Sequence, residues 1–164
     1  MERRTLLAGG ALLVGTLTLG IALFSPQSDE EQIRETLDAL AEAVSFSEPI
    51  GNPVFYGSHL SDQFKELMTD PVQVRVSEVQ GSLPSNRGRL GLAAAQVLTR
   101  YGALHVGLGD LDINVNGDQA SVKGTATVTA LGGGRPKRDE RPIRFELVKD
   151  GDWVVSSVMV QAAR

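Results

Sequence analysis

The spacing of apolar residues changes character near residue 103, and that change limits the folds open to this chain. Ile33, Leu37, Leu40 and Val44 recur at steps of four, three and four, and Leu90, Ala94, Val97, Leu98 and Tyr101 share a second face of the same kind. Such spacing puts one apolar stripe on an amphipathic helix. From Ala103 the period becomes two: Leu104, Val106 and Leu108 alternate, then Leu111, Ile113 and Val115. Alternation marks strands with one buried face. The phase slips by one residue near Gly109-Asp110, which predicts a β-bulge that bends the strand. Asn116-Gly117 predicts a type I′ hairpin. The return strand sets Ala120, Val122, Gly124, Ala126 and Val128 against Ser121, Lys123, Thr125, Thr127 and Thr129. Gly132-Gly133-Gly134 reads as a loop. Ile143, Phe145 and Leu147 mark a further strand, and Asp150-Gly151 turns the chain into a last one, Trp153 to Val160.

The first helix has a clear start. Ser28 and Glu31 have capping-box spacing, and Asp29, Glu30 and Glu31 suit the positive end of a helix. Ser47 to Gly57, with two prolines and two glycines, reads as a loop. A short helix is expected next, with Leu60, Phe64 and Leu67 or Met68 facing inward, stopped by Asp70-Pro71. Val72, Val74 and Val76 then alternate as a strand. A turn-rich stretch, Gly81 to Asn86, leads to a helix weakened at Gly88 and Gly91 by about 1 kcal/mol each relative to Ala, with Gly102 as its expected C-cap. Helices early and strands late indicate an α+β domain, a bent antiparallel sheet packed by about three helices. No internal repeat or linker divides residues 27–164.

Residues 1–26 stand apart. Arg3 and Arg4 precede an uncharged run, Thr5 to Phe24, followed by Pro26. Twenty residues of helix rise about 30 Å, enough to cross a bilayer core. The arginines favour a cytoplasmic N-terminus, with the domain on the far side of the cytoplasmic membrane. A cleaved signal peptide has the same pattern, with Gly20 and Ala22 offering a site before Leu23 and a periplasmic or secreted product. Arg3-Arg4-Thr5-Leu6-Leu7 also resembles a twin-arginine export signal, although Glu2 and Ala8 depart from it. The expected partner of residues 5–24 is therefore the membrane, as an anchor or during export.

The chain lacks cysteine, which excludes disulfides and thiolate metal sites. The net charge is −4, and setting aside Glu2, Arg3 and Arg4 leaves −5. This balance speaks against general nucleic-acid binding. No phosphate-binding glycine loop and no nucleophile elbow occurs. The residues call for no cofactor and no metal.

The order of elements resembles the nuclear-transport-factor-2-like superfamily, which includes SnoaL-like cyclases, ketosteroid isomerases and non-enzymatic modules. The resemblance is carried by the capped first helix, by Phe64 to Met68, by Val76 to Gly81, by Asp110 to Val122 and by Asp150 to Val155. It implies a cystatin-like cone enclosing a pocket, and dimerisation through the sheet. Fold does not carry function across such a group.

Isomerase-like members place a carboxylate base inside the cone, and dehydratase-like members a His with an Asp. Here the inward strand positions are all apolar or glycine. His59 is the best candidate base, with Tyr56 or Asp70 assisting; the plainer reading is an exposed histidine at a helix start. His105 faces away from Leu104 and Val106, toward solvent or an interface. Asp110 and Asp112 read as solvated turn residues beside the bulge. Tyr101 and Trp153 are candidate ligand contacts, with core packing favoured for Trp153. Arg135-Pro136-Lys137-Arg138-Asp139-Glu140-Arg141-Pro142 reads as a charged hairpin loop, solvated or turned toward anionic lipid or an acidic partner. The expectation is a non-catalytic, tethered or exported binding domain, taking an envelope protein partner or a small apolar ligand in the cone. The alternative is a small lyase or isomerase of ketosteroid isomerase or SnoaL type.

Overall fold

A computed structural model of the chain describes residues 27–77, 83–132 and 135–162. The anchor or signal segment, residues 1–26, lies outside the described residues, as do most of Val76 to Gly81 and part of the triple-glycine loop. Among the described residues no helix is long and apolar enough to cross a membrane.

Helix α1 spans Asp29–Ala43. Its capping box closes as its spacing predicts: the Glu31 N–H donates to Ser28 Oγ at 3.2 Å, and the Ser28 N–H donates to Glu31 Oε2 at 3.0 Å. Ile33, Leu37 and Leu40 are buried, and Val44 packs on the core.

Helix α2 spans Pro53–Leu67 and is longer than the short helix expected. Asn52 Oδ1 accepts from the N–H groups of Val54 and Phe55, and Pro53 stands in the first turn where its missing N–H costs nothing. Residues 53–57 of the expected loop are thus helix, and 47–52 remain outside any helix or strand. Strand β1, Met68–Val76, begins before Pro71 rather than after it. It is bulged between Met68 and Gln73, and the Val72 N–H bonds the Ser85 carbonyl instead of the neighbouring strand.

Helix α3 spans Arg87–Leu98, capped by Asn86. Leu90 is buried and Ala94 and Leu98 pack on the core, but Val97 is 51% exposed, outside the inner face assigned to it. Gly91 has a packing role: a Cβ there would stand 2.6 Å from Ser61 Oγ and 2.7 Å from the Ser61 nitrogen. Gly102 is not the cap, which is Thr99; its N–H donates to the Leu131 carbonyl at 2.8 Å and leads into the sheet.

Strands β2 (Ala103–Asn116), β3 (Gln119–Gly132), β4 (Arg135–Asp150) and β5 (Asp152–Val160) follow. The sheet order is β1-β5-β4-β3-β2, antiparallel except that β1 runs parallel to β5, a departure from the all-antiparallel expectation. The predicted bulge is present: Gly109 pairs with Thr125 and Asp112 with Lys123, one residue more on β2 than on β3. Asp110 there has φ 52°. A Cβ on Gly124 would lie 2.7 Å from Leu111 Cδ2 and 2.8 Å from the Gly109 carbonyl oxygen.

The β2–β3 turn differs from type I′. Asn116 pairs with Gln119, which leaves Gly117 and Asp118 as the two loop residues. Gly117 has φ 60° while Asp118 lacks positive φ, the glycine-first pattern of type II′.

Residues 135–142 form the first half of β4, not a loop. Thr129 pairs with Arg138, Thr127 with Glu140 and Thr125 with Pro142. Arg138 meets Glu140 at 2.6 Å on one face, and Arg141 meets Asp139 at 2.6 Å on the other. Two of the four cations of this stretch thus meet an anion at spacing two.

Candidate functional site: an apolar cavity inside the cone

The three helices lean on the concave face of the sheet without filling the space between. A cavity of about 210 Å³ remains. Leu40, Ala41 and Val44 reach it from α1, Phe64 from α2, and Leu90 and Ala94 from α3. The sheet supplies Met68 and Val74 from β1, Val106 and Leu108 from β2, Ile143 and Phe145 from β4, and Val158 from β5. The half-buried members, Val44, Val74, Ala94, Val106 and Leu108, mark its more exposed side. Every lining side chain is apolar.

That lining fixes the available chemistry. A bound apolar group would gain roughly 2.5 kcal/mol for each 100 Å² of surface it buries. No lining side chain titrates or donates a hydrogen bond, so the walls select by size and polarity. Among the described residues no cluster of three or more His, Asp or Glu is placed to hold a metal ion.

None of the sequence-predicted site residues lines this cavity. His59 is exposed on α2. Its neighbour Asp62 pairs with Lys65 at 2.6 Å; the Lys65 hydrogen bond, and more weakly the charge of His59, hold the Asp62 carboxyl below its ordinary range. Tyr56 is half-buried, edge-on to Phe46 with ring centroids 6.1 Å apart, and its hydroxyl donates to the Ala43 carbonyl at 3.3 Å. Burial pushes its phenol pKa up.

Asp70 lies at the β1 bulge, where it accepts from Asn86 Nδ2 at 3.1 Å. Arg87 stands 4.0 Å from it and donates to the carbonyls of Lys65 and Met68 at 2.8 and 2.9 Å, closing the end of α2. No hydrogen bond joins His59, Tyr56 and Asp70 to one another among the described residues. Tyr101 is half-buried between α3 and β2. Trp153 is 1% exposed, and its Nε1–H donates to Asp29 Oδ1 at 2.9 Å. His105 is exposed on the β2 edge.

Most of the cavity residues are legible in the sequence as core positions; Ala41 and Val158 are not singled out by its pattern. What the pattern does not encode is the space itself, bordered by small side chains such as Ala41 and Ala94.

No protein-family profile and no curated protein matches the sequence. Solved structures do match its fold. A protein from Kribbella flavida superposes with a TM-score of 0.69 at 18% identity, covering 83% of this chain and 91% of that one. A nuclear-transport-factor-2-like protein with a cystatin-like fold from Novosphingobium aromaticivorans gives 0.62 at 16%, over 93% and 91%. A candidate dehydratase of the same family from Streptomyces avermitilis gives 0.65 at 18%, over 85% and 99%. The chain therefore has the nuclear-transport-factor-2-like, cystatin-like fold.

Proposed function

We propose that this chain is a non-catalytic binding module, exported or tethered through residues 5–24, whose cone takes a small apolar ligand. The observation that carries the reading is the cavity of about 210 Å³ walled by apolar side chains alone. An apolar cavity of about 150 Å³ is known to hold benzene, so this one has room for a single substituted ring or a short acyl segment. Drug-sized ligands need about 300 Å³ or more and would project beyond its exposed side. The uncharged run Thr5 to Phe24 behind Arg3 and Arg4 supports placement at or beyond the membrane.

Native mass spectra of the protein purified from the envelope of its producing cell test this directly. A reproducible small-molecule adduct, lost in Ala94→Leu, is expected. Bare protein, together with no amide shift on adding toluene, overturns the ligand reading. Turnover of a ketosteroid or polyketide substrate that disappears in His59→Ala would establish the isomerase or lyase alternative instead.

A further inference from the structure

Strand β2 is an outer strand of the sheet, and its free edge is only partly closed. The Leu104 N–H donates to the Phe46 carbonyl at 2.9 Å, and the Phe46 N–H donates to the Leu104 carbonyl at 2.7 Å. Leu104 therefore turns its peptide groups away from β3. Peptide direction alternates along a strand, so Val106 and Leu108 turn theirs the same way. The Val106 N–H is taken by Ser45 Oγ at 3.0 Å. The next three groups on that edge, the Val106 carbonyl and the N–H and carbonyl of Leu108, have no partner among the described residues.

Lysine or proline protection of the edge is missing over the open stretch. No Lys or Pro stands between Ala103 and Gly109, and Gly107 and Gly109 bring no side chain to shield it. The bulge at Asp110 ends the open stretch.

Beside this edge runs a groove of about 630 Å³, with β2 as one wall and Asp38, Glu42 and Ser45 of the α1 end as the other. Both carboxylates are exposed, and neither is in an ion pair among the described residues. No Lys or Arg lines the groove. Helix α1 ends here without a basic residue in its last turn, so its carbonyls add negative potential.

We propose that this groove docks an extended basic segment of a partner protein. The segment adds as a short strand to β2 through Val106 and Leu108 and sets Lys or Arg side chains against Asp38 and Glu42. Backbone pairing gives register, and the carboxylates select the sign of charge. Val106 and Leu108 also wall the apolar cavity, but the docking proposal does not require the cone to hold a ligand.

The test is a fluorescent Lys-Val-Lys-Val-Lys-Val peptide titrated with the full-length chain in detergent and followed by anisotropy. Saturable binding is expected, weakened about tenfold in the Asp38→Asn, Glu42→Gln double variant. It should be lost when the peptide is N-methylated at every amide, which keeps its charge. Amide exchange at Leu108 should slow on binding. Absence of binding, equal binding of the N-methylated peptide or of a Glu-Val-Glu-Val-Glu-Val peptide, or unchanged exchange at Leu108 overturns the proposal.

Discussion

Asp29, the first residue of α1, accepts a hydrogen bond from the Trp153 indole of β5 at 2.9 Å, across 124 positions of sequence. Lys149 joins the same carboxylate oxygen at 2.7 Å, and its ammonium lies 5.7 Å from the Trp153 ring centroid. Thr36, two turns along α1, donates to the Trp153 carbonyl at 3.0 Å. Together these contacts fix α1 to the end of the sheet away from the cavity and the α2 start.

The Asp29 carboxyl is held below its ordinary value of 3.8, first by the Lys149 hydrogen bond and then by the one from Trp153. A carboxyl with a depressed folded pKa contributes stability that is full above its unfolded pKa and lost as pH falls through the folded one. Asp29→Ala should therefore lower the melting temperature at neutral pH. The gap to the parent should narrow below pH 3.8. Paired thermal melts at pH 7 and at about pH 3 measure it; an equal gap at both would assign the effect to packing instead.

Gly91→Ala tests the close crossing of α2 and α3. In an open helix the change would stabilise by about 1 kcal/mol. Here the new Cβ meets Ser61 backbone at 2.7 Å, so the helices must separate. A net loss of about 1–3 kcal/mol in urea unfolding is expected from overpacking. Gly107→Ala, whose Cβ meets nothing within 4 Å, is the control and should change little.

Gly124→Ala applies the same logic to the bulge. Its Cβ would lie 2.8 Å from the Gly109 carbonyl oxygen, which cannot move without breaking the β2–β3 register. A loss of about 1–3 kcal/mol is expected. Amide exchange should quicken at Leu111 and Asp112 more than at the β4–β5 turn.

The legibility of this fold follows from how local each signal is. The capping box at Ser28, the bulge beside Asp110 and the alternation of β3 are set within a few residues, and the sequence displays them. The start of α2 was equally local, since Asn52-Pro53 is an N-cap followed by an N1 proline; the glycines around it masked that signal. The strand character of residues 135–142 depends on pairing with Thr125 to Gly132, so charge density alone suggested a loop. Asp70 reads as a turn residue and proves to hold the α3 cap Asn86. The cavity is the least local feature of all, because it is the space that three helices fail to fill.

Leu40→Ala probes that space from α1. Leu40 is 8% exposed and lines the cavity. Its truncation should cost about 2–5 kcal/mol, because the surrounding helices and strands collapse only partly around the loss. The enlarged cavity should then accept benzene or toluene. A ligand that binds the folded state alone restores stability by RT ln(1 + [L]/Kd), about 2.7 kcal/mol at a hundredfold excess over Kd. Melting Leu40→Ala with and without saturating toluene measures both effects at once. Recovery by toluene would mark the cavity as a dry binding space, whereas destabilisation without recovery would mean that the cone closes over the loss.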